Sequence, residues 1–147
     1  MRGPGGATWR ILGQLAAAAL GLATVLVAIA FLLPRDVTVT RQIVIDAPPA
    51  AIFPHLDSLR VGDGRQEIIV REPDQRVEAA LDLPGVRIAT AWLALTPEPG
   101  GTRVTWGIQA DMGPSPLARY RAIRFDRRIG PELEQGLAAL AAQVGSG

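Results

Sequence analysis

Residues 102–111 read TRVTWGIQAD and alternate between apolar and polar side chains along the whole stretch. Successive side chains of an extended strand point to opposite faces, so Val104, Trp106 and Ile108 share one face. Arg103 and the other polar residues lie on the opposite face. The stretch therefore predicts a β-strand with one buried and one solvated face, and neighbouring stretches extend this pattern into a sheet.

Four further runs have strand character, and short Pro- and Gly-containing turns separate the last three from one another. They are Val37–Asp46, Arg65–Glu72, Arg76–Leu83 and Val86–Thr96. Connections this short favour antiparallel pairing of consecutive strands. We therefore expect a meander of four strands, joined by a first strand that precedes it in the chain.

Two helical regions complete this part of the chain. A short helix is predicted over about Pro49–Leu59, with Pro54 limiting its regularity. The apolar stripes of Leu117–Ile129 and Glu132–Val144 predict a long C-terminal helix, which we expect Gly130-Pro131 to break or kink. The fold class is α+β: an antiparallel sheet of about five strands packed on that helix.

An apolar stretch precedes the strands. Residues 11–33 read ILGQLAAAALGLATVLVAIAFLL and carry no charge. As a helix they would extend about 35 Å, enough to cross a hydrocarbon core of about 30 Å. We therefore divide the chain into residues 1–34, a cytoplasmic N-terminus with a transmembrane anchor, and residues 35–147, one domain of ordinary size.

The residues flanking the apolar stretch indicate its orientation. Arg2 and Arg10 precede it without an acid, which favours a cytoplasmic N-terminus and an extracytoplasmic domain. A cleaved signal peptide is the alternative, because Ala28-Ile29-Ala30 is a possible cleavage site that would leave a chain beginning at Phe31. The apolar stretch exceeds the usual 7–15 residues of a signal peptide, which favours a retained anchor.

Composition narrows the possible partners and the compartment. The net charge of +1 argues against a nucleic-acid partner, since such domains are usually strongly basic. The absence of Cys excludes disulfides and lipid-modified cysteines. All basic residues are Arg, and with abundant Ala, Gly and Pro this indicates a GC-rich bacterial genome. We expect a single-pass protein of the bacterial inner membrane with a periplasmic domain.

No pattern of catalytic residues or ligands stands out. His55 is the only histidine, and Asp57 lies too near in sequence to face it on a helix. The chain has no metal-ligand spacing and no Gly-rich phosphate loop. We therefore predict no catalytic residue, no metal and no cofactor.

Three stretches resemble a known family. They are residues 39–59, VTRQIVIDAPPAAIFPHLDSL; residues 97–106, PEPGGTRVTW; and residues 130–140, GPELEQGLAAL. They are similar to polyketide cyclase/dehydrase-type members of the START-like (SRPBCC) superfamily, which has the helix-grip fold. The resemblance covers about residues 30–145. It implies a curved sheet that grips the long helix around an apolar cavity, and it carries little information on function.

One departure from the family is evident in the sequence. The family usually has seven strands, whereas here Leu59-Arg60 leads almost directly to Gly62 and the next strand. Two strands are therefore expected to be missing. Arg65–Glu72 then becomes an edge strand, and we expect a shallow apolar groove beside it in place of a large closed cavity.

These features favour binding of a lipid or another apolar small molecule near the membrane, without catalysis. The groove is assigned five candidate ligand-binding residues: Val70, Leu81, Trp92, Trp106 and Tyr120. For the two Trp residues, packing in an ordinary core is the competing interpretation. Arg121, Arg124 and Arg128 run along one face of the predicted C-terminal helix, flanked by Arg119 and Arg127. This row is the candidate contact with anionic lipid headgroups, and an ordinary solvated helix face is the competing interpretation.

Two other functions are compatible with the sequence. The domain would be a protein-interaction module of the cell envelope if the strand edge binds a partner. A homodimer would form through that edge, or through the small residues Gly13, Ala17 and Gly21 of the anchor. A cyclase- or dehydratase-like enzyme is implied only by the resemblance.

Overall fold

The structure is a computed structural model, and it describes residues 5–146. Helix α1 spans Gly5–Leu32 and begins before the predicted anchor. Arg2, used above to orient the anchor, lies outside the described residues. The chain divides into two compact units between Pro34 and Arg35.

The second unit contains five strands and three helical segments. Helix α2 is a single turn, and it leads directly into a 3₁₀ helix that contains Pro54. In chain order the elements are β1 (Asp36–Ile45), α2 (Pro49–Ile52), the 3₁₀ helix (Phe53–Ser58), β2 (Gln66–Glu72), β3 (Arg76–Leu81), β4 (Ile88–Glu98), β5 (Gly101–Asp111) and α3 (Pro116–Gly145).

The strands form one antiparallel sheet in the order β1-β5-β4-β3-β2. The predicted meander of β2 to β5 is confirmed, and β1 joins it beside β5. β2 is an edge strand, as predicted, and most of its residues are exposed. The α+β fold class, with five strands and a long C-terminal helix, is confirmed.

The inner face of the sheet is apolar and buried. On β5, Val104, Trp106 and Ile108 are buried as the alternation predicts. They pack with inward residues of β3 and β4 and with the 3₁₀ helix in one core. The largest fully buried side chains are Trp106, Ile52, Leu56, Ile108, Leu133, Leu140, Val39 and Val104.

Helix α3 continues through Pro131 as a single helix, so Gly130-Pro131 does not break it. Proline removes one backbone hydrogen bond within a helix. Here the buried stripe continues in phase across it, with Ile129 before and Leu133 after the proline. Burial of these side chains on both sides offsets the lost hydrogen bond and keeps the helix on the sheet.

An arginine joins the edge strand β1 to α3. Arg41 Nε donates to Glu134 Oε1 at 2.7 Å, and its Nη2 lies 3.1 Å from Asp126 Oδ1. The hydrogen bond to Glu134 is the main cause that raises the pKa of Arg41 above its ordinary value. A Cβ at Gly130 would collide with this guanidinium, so glycine leaves the space that the cation occupies.

The centre of the interface between helix and sheet is a contact between an aromatic ring and a glycine. Trp106 is 2% exposed. A Cβ added at Gly136 of α3 would collide with the six-membered ring of this indole. Glycine at this position therefore allows the helix to lie directly on the ring.

Truncation of Trp106 should be the most costly strand substitution. We expect Trp106→Ala to lower the free energy of unfolding by about 3–5 kcal/mol, because it empties the centre of the core. Arg103→Ala, on the outer face, should cost less than about 1 kcal/mol, since it loses only a partly exposed ion pair. Urea unfolding of the detergent-solubilised chain, followed by circular dichroism, measures both. Equal losses would show that the two faces are assigned wrongly.

Candidate ligand groove

A groove lies between the 3₁₀ helix and the inner face of the strands near β2. The chain leaves this helix at Leu59 in an extended conformation, and Leu59 and Val61 are both buried. The groove has a cavity volume of about 30 Å³. That is room for about one or two water molecules. The lining residues are Leu56, Asp57, Leu59, Val61, Gln66, Ile68, Val77, Ala79, Ala91, Trp92, Leu93 and Trp106.

The lining is apolar, and two polar side chains contribute to it. Ala79 and Ala91 pair across β3 and β4 and give the groove a floor of small side chains. Trp106 contributes from β5, and Asp57 and Gln66 are the polar members. This is the shallow groove beside the edge strand that the sequence predicts.

One ion pair spans from β2 to the 3₁₀ helix. Arg71 Nη1 lies 2.9 Å from Asp57 Oδ1, and its Nη2 lies 3.0 Å from Asp57 Oδ2. The Arg71 guanidinium carbon also lies 5.1 Å from the centre of the Phe53 ring. The sequence analysis assigned Arg71 no role in a site, because nothing in a single strand shows which distant carboxylate an arginine reaches.

A β-bulge explains why Arg71 lies on the inner face of β2 and Val70 does not. Ile68 pairs with Ala79 and Val70 pairs with Glu78, so Ile69 is an extra residue in β2. The extra residue reverses the alternation, which turns Val70 to the outer face and Arg71 to the inner face. Sequence alternation alone cannot locate such a bulge.

The two tryptophans lie on opposite faces of the sheet. Trp92 pairs with Gly107, and a Cβ at Gly107 would collide with the Trp92 indole, so this ring covers the outer face. The strand backbone at Trp92 therefore borders the groove, while the ring does not. Trp106 pairs with Leu93 on the inner face. The expectation that both rings line one pocket is corrected by this register.

The remaining predicted residues lie away from the groove. Leu81 is buried on the inner face of β3 opposite Gln66, and it is not among the lining residues. Tyr120 is half-buried on α3 and also does not line the groove. Of the five predicted positions, Trp92 and Trp106 therefore border it.

The predicted cationic row is exposed on the first half of α3. Arg121, Arg124 and Arg128 are all exposed. Leu117 and Ile123 lie in the same part of the helix and are 74% and 57% exposed. Such a mixture of cations and apolar side chains is typical of surfaces that contact a membrane interface.

The titratable side chain of the described groove lining is held in an ion pair. Among the lining residues that the structure describes, Asp57 is the titratable one, and both its oxygens bind Arg71.

Neither a protein-family model nor a protein of curated function matches the sequence. Solved structures do match. The protein MLL2253 from Mesorhizobium loti has a TM-score of 0.51 at 20% identity, over 72% of this chain and 97% of that chain. The di-domain ARO/CYC protein BexL, from the BE-7585A biosynthetic pathway, has a TM-score of 0.57 at 16% identity, over 95% of this chain and 60% of BexL.

A second di-domain ARO/CYC protein, StfQ from the steffimycin biosynthetic pathway, has a TM-score of 0.57 at 14% identity, over 72% of this chain and 49% of StfQ. The chain thus spans less than two thirds of either di-domain protein. Identities this low show the fold alone. The domain after α1 is a helix-grip-like domain with a five-stranded antiparallel sheet and a long C-terminal helix.

Proposed function

We propose that this protein is tethered by α1 to the bacterial inner membrane, and that its periplasmic domain binds a lipid or another apolar small molecule without catalysis. The observation that carries the proposal is the apolar groove between the 3₁₀ helix and the edge strand β2. A ligand there would lie on the alanine floor and contact Trp106.

The groove must widen to accept a ligand. Its volume of about 30 Å³ is far below the several hundred Å³ of ordinary ligand pockets. β2 is suited to local movement, because it pairs on one side only and most of its residues are exposed. Edge elements with few buried contacts open at low free-energy cost. We therefore expect the bound state to have β2 displaced from the 3₁₀ helix.

Two features support the membrane tether. α1 is long and apolar enough to span a membrane. Only 6% of its most apolar 18-residue stretch is buried, whereas the core helix of a soluble protein is mostly buried. The exposed cations Arg121, Arg124 and Arg128 would bind anionic headgroups once the domain is held near the surface. In this proposal the tether provides proximity and the cations provide electrostatic attraction.

The tether and its orientation can be tested directly. A reporter that is active only outside the cytoplasm, fused after Gly147, should be active. The protein should stay in the membrane fraction at high salt, because a spanning helix is held by burial of apolar surface and not by charge. An inactive reporter would show that the domain lies in the cytoplasm, with the orientation opposite to the one proposed. Release of a soluble chain beginning at Phe31 would show that the apolar segment is a signal peptide.

Blocking the groove should abolish lipid binding. We expect the full chain, solubilised in detergent, to co-purify with lipid, and the variant Gln66→Trp to lose it. Gln66 is half-buried at the side of the groove, so the indole should fill the entrance with little effect on the core. Mass spectrometry of organic extracts measures the retained lipid.

The neighbouring residue provides the control for this substitution. Glu67 is exposed and pairs with Ala80 on the outer face, so Glu67→Trp adds the same side chain outside the groove. It should retain lipid at the wild-type level. Equal retention by both variants would place the lipid elsewhere, for example around α1.

A second candidate function is partner binding at the edge of β2. Ile68, Ile69 and Val70 are 44%, 54% and 36% exposed on a strand with one free side. The bulge and the flanking charges oppose regular pairing, which is why groove binding is preferred. If the edge pairs two copies, Ile69→Pro should convert dimers of the full chain to monomers in analytical ultracentrifugation. A dimer that survives this substitution would exclude the edge.

A further inference from the structure

The ion pair of Arg71 and Asp57 lies at one end of the groove. Asp57 is itself a lining residue, and Arg71 lies opposite Val77, another lining residue, in the β2–β3 ladder. Gln66 lines the groove further along β2, and Ile68 lies between them. The groove therefore runs along β2 from the ion pair of Arg71 and Asp57 to the neutral side chain of Gln66.

The ion pair has the geometry of carboxylate recognition. Arg71 binds both oxygens of Asp57, with three N···O distances between 2.9 and 3.0 Å. A guanidinium binds carboxylates in this two-pronged way because its planar fork matches the two oxygens. Any carboxylate that enters from solvent could form the same contacts.

Exchange of one carboxylate for another at Arg71 should be easy. The side chains of Arg71 and Asp57 are 42% and 46% exposed, so water already competes for both. Partly exposed pairs of this kind contribute little net stability. Released Asp57 would be solvated, whereas Arg71 would keep its contact with the Phe53 ring. The cation is therefore held in place while its partner changes.

We propose that Arg71 is the headgroup site for a long-chain carboxylate, such as a free fatty acid, and that Asp57 occupies this site when no ligand is bound. This inference rests on the proposed function of the groove. The ligand carboxylate replaces Asp57 on Arg71, and its alkyl chain lies on Ala79 and Ala91 towards Trp106. Release of Asp57 also separates β2 from the 3₁₀ helix, which opens the groove for the chain.

The chemistry of the groove favours this ligand over others. A neutral lipid would leave the guanidinium without a new partner after Asp57 is released, so its binding would be weaker. A ligand with two chains would need far more space than one chain, and the empty groove beside the 3₁₀ helix has a volume of only about 30 Å³.

The test uses the full chain in nanodiscs of phosphatidylcholine, with a sixteen-carbon fatty acid that carries a photoreactive diazirine at the end of its chain. Illumination should attach the probe to residues lining the groove, as located by mass spectrometry of peptides. Palmitate should then compete about tenfold better than hexadecanol, which has the same chain but no charge, because it forms charge-assisted hydrogen bonds.

Three substitutions should change this preference in different ways. Arg71→Gln should remove it, so that palmitate and hexadecanol compete equally. Asp57→Asn should strengthen it severalfold, because the amide no longer competes for the guanidinium. Arg71→Lys keeps the charge but not the fork, and should retain part of the preference. The control is Glu98→Gln, which breaks the 2.7 Å ion pair with Arg103 away from the groove and should change nothing.

The outcomes separate this inference from the proposed function. If the probe attaches in the groove but palmitate and hexadecanol compete equally in the wild type, the carboxylate site is overturned and groove binding stands. The same conclusion follows if Asp57→Asn weakens the competition by palmitate. This result does not depend on whether the Arg71 variants fold. If no probe attaches to the lining residues, both the inference and the proposed function are wrong.

Discussion

The packing of the Trp106 indole against Gly136 sets the position of α3, and the rest of the domain depends on it. The helix lies over β1 and β5, where Arg41 adds a second link through Glu134 and Asp126. With the helix held on that side of the sheet, the inner faces of β3 and β2 need other cover. The 3₁₀ helix and the extended segment after it provide this cover only in part, and the groove lies where it ends.

The groove therefore forms because α3 is long and covers one side of the sheet, whereas the 3₁₀ helix is short and covers the other side only in part. Its alanine floor lowers the amount of apolar surface that the empty state must leave unpacked. A larger residue would fill the space, whereas a larger cavity would cost stability in the absence of ligand. A narrow groove beside a movable edge strand is compatible with both a stable empty domain and a ligand-bound one.

The arginines of the domain have different surroundings. Arg41 is structural, since two acids of α3 bind it at the interface between helix and sheet. Arg71 is paired with Asp57 of the groove lining, and both side chains are partly exposed to solvent. Arg119 was predicted to flank the solvated row of α3, yet it is 4% exposed and buried against the domain. The other arginines of that row remain at the surface.

The sequence by itself determined the elements: the alternation of residues 102–111, the short turns and the stripe of α3 are local patterns that report which face of each element is apolar. The resemblance to the helix-grip family, together with the short connection before β2, also implied that β2 lies at an edge. Only the tertiary structure decided which side chains meet. The bulge at Ile69 exchanged the faces of Val70 and Arg71, and strand register placed Trp92 and Trp106 on opposite faces. Pairings between distant segments depend on register and packing, which no local pattern contains.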